Sequence, residues 1–93
     1  MAASRRDALQ MKLSYFAWVR ERIGKAEEEI EPPAEVATIR DLIDWLKQRG
    51  EHYAYAFEHQ EVVRAAIDRR HVRPEASIAG ASEIAFFPPM TGG

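Results

Sequence analysis

Apolar and polar positions alternate along the segment that starts at Met11. Such alternation is typical of a strand with one face in the core, and we predict a strand over residues 11–18. Its core side would carry Leu13, Tyr15 and Ala17, and its outer side Lys12, Ser14, Phe16 and Trp18. The next residues, 19–24, have the pattern of a short helical turn that Gly24 ends.

The clearest helical pattern of the chain covers residues 38–49. Thr38 is the predicted N-cap, Asp41 lies in the first turn and Gly50 follows the last turn. Apolar residues recur at the spacing of one helix face, at Ile39, Leu42, Ile43 and Leu46. This helix therefore has a single apolar stripe that another element must cover.

Shorter segments surround this helix. We predict a polar strand over 27–31, a helical turn over 52–57, a strand over 62–68, a polar turn over 69–71, a loop over 73–82 and a last strand over 83–87. In the last strand Ile84 and Phe86 would face the core, whereas Glu83, Ala85 and Phe87 would face outward.

The order of these elements is strand, strand, helix, strand, strand. One long helix with one apolar stripe needs one sheet face to cover it, which predicts a two-layer α+β fold of the β-grasp type with a mixed sheet. In that arrangement the first and last strands are neighbours in the middle of the sheet. We expect a disordered leader over 1–10, a single domain over 11–87 and a flexible tail over 88–93.

Composition removes several classes of function. The chain has 93 residues, a net charge of −2 and no cysteine. The charge argues against nucleic acid as a partner, and the lack of cysteine excludes disulfides and a catalytic thiol. No apolar run is long enough to span a membrane, and no apolar stretch follows Arg5 and Arg6 as an export signal requires. We therefore expect a cytoplasmic protein.

The charged side chains do not form a recognisable active site. His52, His59 and His71 lack the spacing of metal ligands, so no metal site is predicted. No glycine-rich phosphate loop is present. A basic cluster of Arg69, Arg70 and Arg73 offers phosphate or RNA binding, but a solvated turn or a rim that faces a partner is the favoured interpretation.

The end of the chain is the remaining candidate. Gly92 and Gly93 follow Pro88 and Pro89 after an apolar strand, so a rigid mount carries a stiff spacer and a tip without side chains. Such a tip fits a narrow channel, and its carboxylate is its reactive group. A frayed end on a small binding module is the alternative that needs no chemistry.

Two segments of the chain resemble the ubiquitin-like sulfur carriers, in particular the small subunits of molybdopterin synthase. They are Tyr15-Phe16-Ala17-Trp18-Val19-Arg20-Glu21 and Phe86-Phe87-Pro88-Pro89-Met90-Thr91-Gly92-Gly93. The resemblance covers about residues 11–93. It departs from the family in the leader and at Asp68, where asparagine is common in the family.

This resemblance implies that Gly93, next to Gly92, is adenylated, becomes a thiocarboxylate and donates sulfur to a cyclic pterin precursor of the molybdenum cofactor. It implies a tail of Pro88, Pro89, Met90 and Thr91. Alternation places Phe16 and Phe87 on the outer face of adjacent strands, where they can form one apolar patch, and we expect Phe16, Phe87 and His71 to bind a partner. The implied partners are a large synthase subunit, an adenylyltransferase that uses ATP, and a sulfur donor protein, with the synthase a heterotetramer. This chain itself would bind no cofactor, nucleic acid or membrane.

Two other functions are compatible with the same tail. One is sulfur transfer in thiamine or another biosynthesis, and the other is attachment to lysines as a ubiquitin-like modifier. All of these functions use the terminal carboxylate, and they differ in the partner that receives the activated group.

Overall fold

This computed structural model describes residues 10–89, which contain five strands and three helices. In chain order they are β1 (Met11–Tyr15), α1 (Ala17–Ile23), β2 (Glu27–Ile30), α2 (Ile39–Lys47), α3 (Glu51–Ala56), β3 (Arg64–Ile67), β4 (Arg70–Val72) and β5 (Glu83–Phe87). A 3₁₀ turn, Gln60–Val62, precedes β3.

The strands form one mixed sheet in the order β2-β1-β5-β3-β4. β1 and β5 are parallel and central, as predicted, and the other neighbouring pairs are antiparallel. The helices cover one face of this sheet, which gives an α+β fold of the ubiquitin-like β-grasp type. The one long helix, α2, has nine residues, and the helical turns predicted over 19–24 and 52–57 are the two shorter helices α1 and α3.

The helix stripe is buried as predicted. Ile39, Leu42, Ile43 and Leu46 are at most 4% exposed and pack against the inner sheet face. Thr38 caps the helix, because its hydroxyl accepts from the Asp41 amide while the Asp41 carboxylate accepts from the Thr38 amide. α2 ends at Lys47 with Gln48 as its C-cap, and Gly50 instead precedes α3, so the predicted end at Arg49 was two residues late.

The first strand is shorter than the alternation predicts. β1 ends at Tyr15, and Ala17 begins α1 with a φ of 54°. Ala17 is therefore exposed rather than buried, and Trp18 lies on a helix. Val19 and Ile23 explain the difference, because a strand would place the charged Glu21 on the same buried face, whereas a helix buries these two residues and leaves Glu21 exposed. Gly24 ends α1 in the left-handed conformation, as predicted.

The segment from 62 to 72 also differs from its prediction. The strand starts at Arg64 and not at Val62, and residues 70–72 form β4 instead of a polar turn. The turn itself consists of Asp68 and Arg69, whose φ angles are 48° and 74°. Two residues with positive φ match the right-handed twist of a tight hairpin, so a two-residue turn suffices here.

Hydrogen bonds to Glu28 connect the edge strand β2 to the core. Its carboxylate accepts from the hydroxyls of Tyr15 and Tyr53, each at 2.7 Å, and lies 3.4 Å from Lys25 Nζ and 3.5 Å from Arg49 Nη1. Burial raises the pKa of the Glu28 carboxyl, but the two hydroxyls and the two cations outweigh burial and leave the pKa below its usual value. Burial, followed by the bond to Glu28, raises the pKa of Tyr15.

Candidate functional site

The last strand, β5, is held firmly in the sheet, and the tail begins where it ends. β5 lies between β1 and β3, and both Ile84 and Phe86 are fully buried. The Phe86 ring stacks on Tyr15 at 6.3 Å between centroids and meets Phe57 edge-on at 5.2 Å. A strand that is paired on both sides and anchored by buried rings holds its end in a defined place.

The tail begins beside this anchored strand. Pro88 and Pro89 are partly buried and follow β5 without regular structure. The remaining predicted tail and catalytic residues, Met90, Thr91, Gly92 and Gly93, lie outside the described residues, as does most of the predicted leader. The predictions about both segments stay predictions.

The outer sheet face, the one away from the helices, carries the three predicted partner-binding residues. Phe16 is 49% exposed, and its amide donates to the Phe86 carbonyl oxygen at 3.1 Å, so it lies beside the end of β5. Phe87 is partly buried because its ring contacts that of His71, with 5.1 Å between centroids. The structure thus brings Phe87 and His71 into contact, and their role in partner binding stays a prediction.

Small side chains form the middle of this outer face. Ser14, Ala85 and Ala66 are aligned across β1, β5 and β3. A shallow depression of about 250 Å³ lies over the two alanines, and Phe16, Arg69 and Glu83 line its sides. The Ser14 hydroxyl donates to the Glu83 carboxylate at 2.7 Å, which holds that wall in place. The face therefore has an apolar floor with an aromatic side and a charged side.

The hairpin turn at Asp68 and Arg69 borders the depression, and sequence reasoning missed its importance. The Asp68 carboxylate accepts from the amides of Ser82 at 3.1 Å and Glu83 at 2.9 Å, and the Asp68 amide donates to the Glu83 carbonyl at 2.8 Å. These bonds fix the turn to the start of β5. An acidic residue before two arginines was the available signal, because Asp tolerates the left-handed conformation of tight turns.

Opposite charges line the two edges of the sheet. The β2 edge is acidic, with Glu27, Glu28, Glu29 and Glu31, whereas the other edge is basic, with Arg64, Arg69, Arg70 and Arg73. Near the acidic edge, Lys12 Nζ lies 2.7 Å from Glu27, and this hydrogen bond raises the pKa of Lys12. The net charge of −2 conceals this separation.

The predicted basic cluster is divided between the two faces of the hairpin. Arg70 pairs in register with Ile67, which packs on the core side, while Arg69 lines the depression on the outer face. Phosphate binding needs several cations that converge on one point, so this division disfavours a phosphate site.

Among residues 10–89, no group of three or more His, Asp or Glu side chains is placed to hold a metal ion. None of the helices in this range is long and apolar enough to cross a membrane.

Comparison with known proteins finds similarity over the same part of the chain as the resemblance. The family model described as the ThiS family matches residues 13–93. The molybdopterin synthase sulfur carrier subunit of Haemophilus influenzae is 34% identical over 83 residues, which cover 89% of this chain and 99% of the relative.

Solved structures agree with this result. The structure of molybdopterin converting factor subunit 1 from Pyrococcus furiosus is 32% identical, with a TM-score of 0.69 over 88% of this chain and 99% of that one. Small archaeal modifier protein 1 of Haloferax volcanii shares the fold, with a TM-score of 0.66 and 20% identity over 87% of this chain and 98% of that one. From the family match and the sequence identity together, the chain belongs to the ThiS family.

Proposed function

We propose that this protein is the sulfur carrier subunit of a molybdopterin synthase and acts in the biosynthesis of the molybdenum cofactor. The observation that carries the proposal is the 34% identity to a protein of that function over 99% of the relative's length. The family match also extends to Gly93, so the diglycine end belongs to the region of similarity.

The chemistry at Gly93 follows from its carboxylate. A carboxylate is a poor electrophile, so its oxygen first attacks the α-phosphorus of ATP, and pyrophosphate leaves. Hydrosulfide then attacks the carbonyl carbon of this acyl-adenylate, its proton passes to water, and AMP leaves with the electron pair of the broken C–O bond. The product is a thiocarboxylate, whose ionised sulfur attacks the pterin precursor that a partner holds.

Partners supply the sites that this chain lacks. The sequence has no glycine-rich phosphate loop, so an adenylyltransferase provides the ATP site and a sulfur donor protein the sulfur. A large synthase subunit holds the pterin. These partners act in the cytoplasm, and two carriers with two large subunits form the synthase.

The length and composition of the tail suit insertion of Gly93 into the active site of a partner. Residues 88–93 are six in number, which gives an extended reach of about 20 Å. Two prolines at the start restrict the free tail and reduce the entropy lost when it enters a channel. Two glycines at the end leave the carboxylate accessible from all sides.

Intact mass spectrometry tests the proposal. The protein is incubated with the adenylyltransferase of the same genome, ATP and a sulfur source, and then with the large subunit and the pterin precursor. We expect a mass gain equal to the exchange of one oxygen for one sulfur atom, and its loss when the large subunit and the precursor are added.

Deletion of Gly93 is the matched variant. It should abolish both the mass gain and product formation, without a change in melting temperature. Sulfur transfer to a thiazole synthase alone, or attachment of the chain to lysines, would refute the proposal in favour of a thiamine carrier or a protein modifier. Full synthase activity without Gly93 would refute the role of the tail.

A further inference from the structure

We propose that Arg69 determines the specificity of docking on the outer sheet face by pairing with a carboxylate of the large synthase subunit, while an apolar side chain of that subunit fills the adjacent depression. The partner's identity rests on the proposed function. The choice of this surface and the chemistry of its occupant rest on the backbone of the turn at Arg69 and on the residues that line the depression.

The backbone at Arg69 is unfavourable for a residue with a Cβ atom. Its φ of 74° lies in the left-handed region, where glycine is free of the steric penalty that other residues meet. Tight hairpins of this kind prefer glycine at their second position. An arginine here therefore costs stability that glycine would spare, and such positions point to a use for the side chain.

The turn is built to hold Arg69 in place. Asp68 is bonded to the amides of Ser82 and Glu83 through its carboxylate and to the Glu83 carbonyl through its own amide. These bonds prevent a rotation of the turn that would relieve Arg69. The guanidinium is thus presented from a fixed backbone, which reduces the entropy lost on binding.

The depression beside Arg69 fits an apolar side chain with a neighbouring carboxylate. Its floor consists of Ala66 and Ala85, and Phe16 forms the opposite side. Among the described residues, no ion pair within 4.0 Å involves Arg69, whereas the wall residue Glu83 is held by Ser14. The guanidinium is therefore available to a partner.

Charge complementarity identifies the sign of the partner surface. Arg64 pairs in register with Phe87 and is therefore a second cation on the outer face with Arg69, whereas Arg70 lies on the core side. These two outer-face cations attract an acidic surface and repel a basic one. The acidic β2 edge lies at the other side of the same sheet, so this separation of charge favours one orientation of the large subunit across the face.

Two variants separate contact from overall charge. Arg69→Gly removes the guanidinium and relieves the backbone, while Arg70→Gln removes the same charge one residue away, on the core side of the hairpin. The dissociation constant for the large subunit of the same genome is measured by calorimetry at low and at high salt, together with the melting temperature.

We expect Arg69→Gly to raise the dissociation constant roughly tenfold, the effect of one lost charge-assisted pair, and to reduce its salt dependence. Its melting temperature should be equal to or above that of the wild type. Arg70→Gln should bind within about twofold of the wild type, and Arg69→Lys should fall between, since it keeps the charge but loses the planar fork.

Three results would overturn the inference. They are unchanged binding by Arg69→Gly, an equal loss from Arg69→Gly and Arg70→Gln, and a lower melting temperature for Arg69→Gly. If the wild type acquires sulfur yet binds no large subunit, both this inference and the synthase role fail. If the wild type binds and transfers sulfur while Arg69→Gly does the same, the proposed function stands and this inference alone fails.

Discussion

The two faces of the central strands β1 and β5 differ in the size of their side chains and in what covers them. On the inner face Leu13, Tyr15, Ile84 and Phe86 are at most 1% exposed and form the core with α2. On the outer face the same strands carry Ser14 and Ala85, with the half-exposed Phe16 beside them. β1 and β5 thus combine a large-residue face that holds the fold with a small-residue face that leaves room for another molecule.

This comparison separates stability from function. A sheet of this size has a single hydrophobic core, so an inner-face substitution acts on folding. An outer-face substitution changes few internal contacts and acts on binding. The strained turn at Arg69 belongs to the outer face, which is where a cost in stability is expected if the face has a function.

The largest expected effect lies on the inner side. Leu42→Ala removes a fully buried side chain from the α2 stripe, and we expect a loss of about 2–5 kcal/mol in the free energy of unfolding, measured by urea denaturation. Sulfur transfer by the molecules that remain folded should be unchanged. A stable Leu42→Ala protein that fails to transfer sulfur would contradict the separation of the two faces.

The next effect lies on the outer side. Phe87→Ala should weaken binding of the large subunit at least about 30-fold, because an aromatic anchor in an interface typically contributes about 2 kcal/mol or more. Tyr55→Ala is the control, since Tyr55 is 52% exposed on α3 and away from this face. Equal binding by the wild type and Phe87→Ala in calorimetry would mean that the docking face is elsewhere.

Periodicity was sufficient for the elements whose burial follows one regular pattern. The α2 stripe, β5 and the central pairing of β1 with β5 are confirmed. It failed at Ala17 and at 68–69, where residues other than glycine adopt positive φ. The turn at 68–69 depends on the long-range partners Ser82 and Glu83, which local patterns do not contain.

The candidate site was also predicted only in part: its aromatic residues were predicted, and its depression was not. Alternation placed Phe16 and Phe87 on the outer face of adjacent strands, opposite the core. The depression over Ala66 and Ala85 was not predictable, because it depends on the register between β3 and β5. Arg69 was predicted as one member of a basic cluster, and only the register between β3 and β4, which puts Arg70 on the core side, separates the two arginines.

Glu28, a charged residue on the core side of β2, is expected to make a smaller contribution to the free energy of unfolding. The folded-state pKa of Glu28 is lowered, so its stabilisation is complete above the ordinary value of 4.5 and is lost as the pH falls through the lower folded-state pKa. Glu28→Gln should cost about 1–2 kcal/mol at neutral pH, since bonds from two tyrosines lose a charged acceptor.

Urea unfolding from neutral pH to about pH 3 measures this difference, which should shrink in the acid range. Glu29→Gln is the matched control, because Glu29 is exposed on the same strand. A difference between Glu28→Gln and the wild type that does not change with pH would show that Glu28 acts through shape and not through charge.

The smallest expected effect concerns residues 1–10, and it tests whether the outer face is open. The buried core begins at Met11, and the exposed Gln10 precedes it. A chain that starts at Met11 should therefore melt within a few degrees of the full chain, because a change of about 1 kcal/mol shifts the midpoint of a domain this size by only about 4–8 °C. It should also bind the large subunit at the same rate. Association could instead be substantially faster without residues 1–10 when measured by stopped flow. That result would show that the leader shields the outer face. The contrast between an occupied inner face and an open outer face would then hold only for the shortened chain.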